Sequence, residues 1–121
     1  MLNDYSVYFG KNQLEAIKEG LRGEEKEYFK ELVQDTIATI KKTPTIYETD
    51  GQGKEAIVYL HYFIGGFDWY ITELEHNNEE LQCFGLADLG EPELGYISLQ
   101  ELREHAELDL HWKPVALKEI M

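Results

Sequence analysis

Apolar residues recur at helical spacing in the first third of the chain and at strand spacing through the middle, a pattern that predicts helices followed by a sheet. Residues 12–21 place Leu14, Ile17 and Leu21 on one stripe, and Gly23 separates this short helix from a longer one. From Glu24 to Lys42, Tyr28, Phe29, Leu32, Val33, Ile37 and Ile40 make a single apolar face. Glu24, Glu25 and Glu27 fall in the first turn and Lys41 and Lys42 in the last, as the helix dipole favours. Pro44 ends the helix.

The period then changes. Ala56–Ile64 and Phe67–Glu75 are aromatic and β-branched runs joined by Gly65-Gly66, a pair suited to a two-residue hairpin turn. A second turn at Asn77-Asn78 leads into Leu81–Leu89. If both loops have two residues, Ile64 pairs with Phe67, Ile71 with Phe84 and Trp69 with Leu86. One sheet face then collects Val58, Leu60, Tyr62, Ile64, Phe67, Trp69, Ile71, Phe84 and Leu86, interrupted by Glu73 and Gln82. The other collects Tyr59, His61, Phe63, Asp68, Tyr70, Thr72, Cys83 and Gly85. The long helix is the natural cover for the apolar face. Glu93–Ile97 is a fourth strand, and Ser98 with Glu101 forms a capping box opening a helix to about His105. Leu108–Lys113 reads as a last strand, and Pro114 as the start of a helical turn carrying Val115, Leu117 and Ile120. The fold class is therefore α+β: an antiparallel meander of about four strands on N-terminal helices, in a single domain spanning 1–121. Within it, 1–43 is a helical extension and 44–121 the sheet-containing part.

Charge sharpens this picture. The formal charge of −13 divides into −1 over residues 1–47 and −12 over 48–121. Between Lys54 and Arg103 there is no lysine or arginine, yet ten carboxylates. Such crowding repels nucleic acid and membrane surfaces and attracts a basic partner. Solubility alone is the ordinary explanation for an acidic chain; the asymmetry favours a binding surface. Aromatic content of 12% argues against disorder. The one cysteine, Cys83, excludes an internal disulfide, and the N-terminus lacks a secretory pattern, so the expected compartment is the cytoplasm.

Catalytic signatures are sparse. No glycine spacing suits a phosphate loop and no serine sits in a nucleophile elbow. Cys83 lies among carboxylates, which disfavour a thiolate. Asp68, Glu73 and Glu93 are the carboxylates nearest the sheet, but in this register Asp68 and Glu73 point to opposite faces. His61, His76, Cys83, His105 and His111 are the imidazole and thiol groups available to a zinc ion, none in zinc-finger spacing. His61 and Cys83 fall on one face with Cα atoms about 12 Å apart, too far to share a metal alone. No metal or other cofactor is expected, with zinc as the alternative. Tyr59, Phe63 and Tyr70 resemble a base-stacking face without the cations that hold phosphates.

Four stretches carry a resemblance: Pro44–Thr49, Gly66–Glu73, Phe84–Leu86 and Glu93–Leu102. Together they resemble a small uncharacterised domain family of plasmids, phages and integrated elements, often encoded near ArdC-type antirestriction proteins. The D-W-Y-x-T-E and E-L-G-Y-x-S-L-x-E-L segments are its most specific marks, and the similarity covers about Pro44 to the C-terminus. The family has no assigned catalytic residues; what the resemblance implies is a mobile element whose small acidic proteins inhibit host nucleases. The expectation is an anti-CRISPR or antirestriction inhibitor, not an enzyme, acting as a DNA mimic on a basic nucleic-acid-contacting groove and blocking DNA or guide loading. Its contact residues are expected to be Glu73, Glu75, Glu79, Glu80, Asp88, Glu91, Glu93 and Tyr70. Trp69 is a weaker anchor because the register turns it inward. The alternatives are a metal-dependent hydrolase or nuclease, and an accessory subunit of the same element, with or without structural zinc.

Overall fold

The computed structural model of the protein describes residues 2–77 and 80–121. Its helices are α1 (Leu2–Tyr5), α2 (Lys11–Gly20), α3 (Lys26–Lys42) and α4 (Leu99–His105). Its strands are β1 (Ile57–Val58), β2 (Leu60–Ile64), β3 (Phe67–Leu74), β4 (Gln82–Asp88), β5 (Pro92–Ser98), β6 (Glu107–Leu108) and β7 (Val115–Ala116). Strands β2 to β5 form the expected meander, and β6 returns to the free side of β2, so the antiparallel sheet runs β5-β4-β3-β2-β6. The fold is α+β. No helix among the described residues is long and apolar enough to cross a membrane.

The N-terminal helices cover one sheet face. Leu14, Ile17, Val33, Ile37 and Ile40 meet Leu60, Tyr62, Ile71, Leu74, Cys83 and Ile97 in one buried cluster, with Tyr8 and Phe9 from the turn after α1. Tyr28, expected on the buried face of α3, is exposed, whereas Phe29 lies against α2 so closely that a Cβ at Gly20 would stand 2.6 Å from its ring. Gln13 ties α2 to β6: its Nε2 donates to the Leu108 carbonyl at 2.6 Å, and its Oε1 accepts from the Leu108 amide at 2.9 Å. The Ser98 hydroxyl accepts from the Glu101 amide at 3.2 Å and starts α4, which is the serine half of the expected capping box; such a cap contributes about 1 kcal/mol.

The first hairpin has the expected register, with Ile64 opposite Phe67 across Gly65-Gly66 and Gly65 at φ +56°. The second does not. Ile71 pairs with Gly85 rather than Phe84, Trp69 with Ala87 rather than Leu86, and the ladder slips once more at a bulge around Thr72. The Glu75 amide donates to the Gln82 carbonyl, so the connection is longer than two residues and Leu81 takes a positive φ within it. Asn78, expected in this turn, lies outside the described residues. A one-residue slip exchanges faces. Cys83 and Gly85 thus face the helices, while Phe84 and Leu86 face the other way.

That second face has its own cover. Val58, Leu86 and Leu117 form a smaller buried cluster with Tyr70, Trp112 and Ile120 against it. The run from Ala56 to Ile64 is broken at Tyr59, and this break sends Val58 to the side opposite Leu60. The expected last strand over Leu108–Lys113 is only the two residues of β6 followed by a turn. Val115–Ala116 pairs with β1 instead of turning as helix, and a 3-10 turn at Leu117–Glu119 follows it. Apolar residues reaching both sheet faces need two covers, so the C-terminal segment is drawn across rather than extended along an edge.

Candidate protein-binding face

Glu73 organises this face. The bulge at Thr72 turns its side chain away from the helices, onto the same face as Asp68. It is 3% exposed, and among the described residues no cation pairs with it. Instead its Oε1 accepts from the Tyr47 amide at 2.9 Å, and its Oε2 accepts from the Thr49 amide at 2.7 Å and from the Thr49 hydroxyl. Charge-assisted donors of this kind offset the cost of burying a carboxylate. The Leu74 amide also donates to the Pro44 carbonyl, so the segment after α3 is fixed to β3 at two points. Tyr47 sits at φ +75°, an uncommon conformation for a residue with a Cβ.

Held this way, Tyr47 projects outward. Its ring meets Tyr96 of β5 edge-on, with centroids 6.3 Å apart, and Tyr96 meets Phe84 of β4 edge-on at 5.3 Å. The hydrogen bond with Tyr47, followed by burial and nearby negative charge, pushes the Tyr96 phenol up to about 12. Tyr47, Leu94 and Tyr96 are 66%, 52% and 51% exposed. Glu48, Asp50, Glu91 and Glu93 are exposed in the segments that carry and flank these side chains. The charges in these segments are thus of one sign, and alternation along β5 puts Leu94 and Tyr96 on the patch side and Glu93, with Ile97, on the other.

The expected contact residues divide. Glu80, Glu91 and Glu93 are exposed, and Asp88 is half-buried with Oδ1 accepting from the Gly90 amide at 3.2 Å. Glu75 is half-buried and accepts from the Asn77 amide. Glu79 lies outside the described residues. Two of the expected contact residues are covered by other parts of the chain. Glu73 is a buried anchor for the 44–49 loop because the bulge reversed its direction. Tyr70 is half-covered because the C-terminal segment lays Trp112 on it, ring centroids 5.9 Å apart; burial, then Asp68 and Asp88, raise its phenol.

A second polar cluster lies farther along the same face. The His61 ring places Nε2 2.7 Å from Oδ1 of Asp68 and Nδ1 3.1 Å from Oδ2 of Asp109. It stacks on Tyr70 at 5.0 Å and contacts Trp112 at 5.0 Å. The two carboxylates sit at opposite ring nitrogens, and Asp109 thereby ties the C-terminal segment to the sheet. Cys83 is on the opposite face from His61, which overturns their shared register. Its Sγ donates to the Ile97 carbonyl at 3.4 Å, and burial, rather than neighbouring acids, pushes the thiol up to about 12. His76 Nε2 lies 2.7 Å from the Thr43 carbonyl, and His105 and His111 are exposed. No three of the described His, Cys, Asp and Glu residues converge as a metal-ligand set.

Sequence reasoning missed Tyr47, Thr49, Asp109 and Trp112 as partners of these clusters. The signal for the first two was present: Pro44–Thr49 and Gly66–Glu73 stood among the four marked stretches, and the structure joins them at Glu73. A family model described as Protein of unknown function (DUF2958) matches residues 30–113. The chain belongs to this family. The matched span begins inside α3 rather than at Pro44, and stops short of β7, so it includes the buried positions Val33, Ile37 and Ile40 that cover the sheet. It also holds the whole Glu73 anchor and the aromatic patch. No curated protein and no solved structure matches the chain.

Proposed function

We propose that this protein inhibits a host defence nuclease, of the CRISPR or restriction type, by binding its basic nucleic-acid-contacting surface. The observation that carries the reading is the exposed Tyr47–Leu94–Tyr96 patch, with exposed Glu48 and Asp50 in the loop that carries Tyr47, Glu91 just before β5 and Glu93 on the other face of that strand. Exposed aromatic groups suit the desolvated centre of an interface, and exposed carboxylates with no cation partner among the described residues suit an arginine- and lysine-rich partner. The stretch from Glu55 to Leu102 contains no lysine or arginine, so its sequence offers no cation to neutralise these carboxylates. No chemistry is required: steric exclusion with long-range attraction displaces the nucleic acid, and association slows as salt rises. The resemblance to domains of mobile elements supports the setting, a bacterial cytoplasm in which such an element meets host nucleases.

The test is affinity capture from cells expressing candidate CRISPR effectors and restriction enzymes, with nucleic-acid loading measured on each captured protein. The expected result is capture of one nuclease with reduced loading, weakened from low to moderate salt. Glu91→Lys with Glu93→Lys, and separately Tyr96→Ala, abolish capture while circular dichroism stays native. Capture unchanged by both variants, in folded protein, removes this face from consideration.

A further inference from the structure

We infer that the partner engages the free edge of β5 by adding a strand of its own, an extended segment alternating basic and apolar residues. This rests on the basic-partner reading above and says how that contact is made. Strand β5 is seven residues long and ends the sheet; among the described residues only β4 pairs with it. The Leu99 amide donates to the Leu81 carbonyl, and alternation along an antiparallel ladder aims the backbone groups of Ile97, Gly95 and Glu93 at β4. Those of Leu94 and Tyr96 therefore point outward, donors and acceptors with no backbone partner among the described residues.

Proteins usually guard such an edge with lysine, proline, bulges or a covering segment. Here Pro92 stands only at the strand's first residue, and a side chain placed at Gly95 would meet no atom within 4 Å. The charges at hand are Glu91, Glu93 and Glu80, all exposed and all of one sign. A hollow of about 260 Å³ beside the end of the strand is lined by Glu80, Leu81, Gln82, Tyr96, Ile97 and Ser98. A second copy of the chain is a poor occupant, because it would bring these carboxylates against their equals with no cation between. A strand carrying lysine or arginine beside Glu93, and apolar side chains beside Leu94 and Tyr96, satisfies the backbone and the charge together.

The probes are an end-capped heptapeptide alternating lysine and valine, and a version of equal charge with a central proline. The alternating peptide should bind about tenfold more tightly than the proline version and slow hydrogen exchange at the Leu94 and Tyr96 amides. Leu94→Pro removes one outward amide while sparing the inward ladder, and should erase that difference. Should Leu94→Pro fail to fold, the two peptides on the unaltered protein still decide. Equal binding of both peptides, binding of neither, protection elsewhere than β5, or a dimer formed through β5 overturns the inference. Salt-sensitive capture of a nuclease that persists after any of these results would leave the face and dismiss the edge.

Discussion

The carboxylate of Glu73 and the backbone amide of Thr49 lie 2.7 Å apart, so a strand residue holds a loop laid down 24 positions earlier. With the Tyr47 amide on its other oxygen, Glu73 sets where the outward aromatic side chain of that loop stands. The exposed patch is therefore built on a buried anion.

Replacing that anion should release the loop. In Glu73→Gln the side-chain amide brings a donor where an acceptor is needed, leaving a buried amide unpaired at a cost of about 1–3 kcal/mol. Urea unfolding should show the loss as a lower midpoint with an unchanged slope.

Tyr96 reports the same loop by titration. Its phenol stands at about 12, first through the hydrogen bond with Tyr47 and then through burial and the charges of Asp50 and Glu73. Tyr47→Phe should bring it down toward 10.0, measured from the ring carbon shifts of Tyr96 against pH. An unmoved titration would mean that the two phenols do not interact.

Gly85 lies opposite Ile71, with the β3 backbone close beside it. A Cβ there would collide with the Tyr70 carbonyl and stand 2.9 Å from the Ile71 Cα, backbone atoms that cannot swing aside. Gly85→Ala should destabilise by about 1–3 kcal/mol, visible as a lower melting temperature. Gly90→Ala has open space but a φ of +119°, so its effect is confined to local strain in the β4–β5 turn.

The buried thiol of Cys83 makes a pH signature. Its folded value, about 12, is above the ordinary 9.0, so beyond pH 9 the unfolded chain has lost the proton that the folded chain keeps. Stability should fall as pH rises between those values, because the unfolded state binds fewer protons there. Cys83→Ala should remove that part of the slope, seen by comparing urea midpoints of the two proteins at pH 8 and pH 10.5. Native protein should also resist thiol reagents until it unfolds.

Asp109 clamps the C-terminal cover. Asp109→Ala removes the partner of His61 Nδ1 and the acceptor of the His111 amide, which lies 3.0 Å from its Oδ1. Trp112, whose indole donates to the Val58 carbonyl at 3.0 Å, should loosen from His61 and Tyr70. In a Trp69→Phe background its fluorescence should shift to the red, with about 1–2 kcal/mol lost. An unshifted spectrum would assign the clamp to apolar contact alone.

Local pattern determined what depends on neighbours along the chain. The periods of α2 and α3, the four meander strands, the Gly65 turn with its register, and the Ser98 cap were all legible, because each is decided within a few residues. The acidic charge of residues 48–121 was equally plain. Tertiary closure decided the rest. The length of the Glu75–Gln82 connection and the bulge at Thr72 exchanged Cys83 with Phe84 and reversed Glu73, and a one-residue slip costs nothing in periodicity while moving every side chain to the opposite face. The contacts of Glu73 with the 44–49 loop, and of His61 with Asp109 48 positions on, join residues whose separation in sequence carries no local signal. Which carboxylates face outward and which hold the fold together follows from that closure, since only burial distinguishes an exposed charge from an anchor.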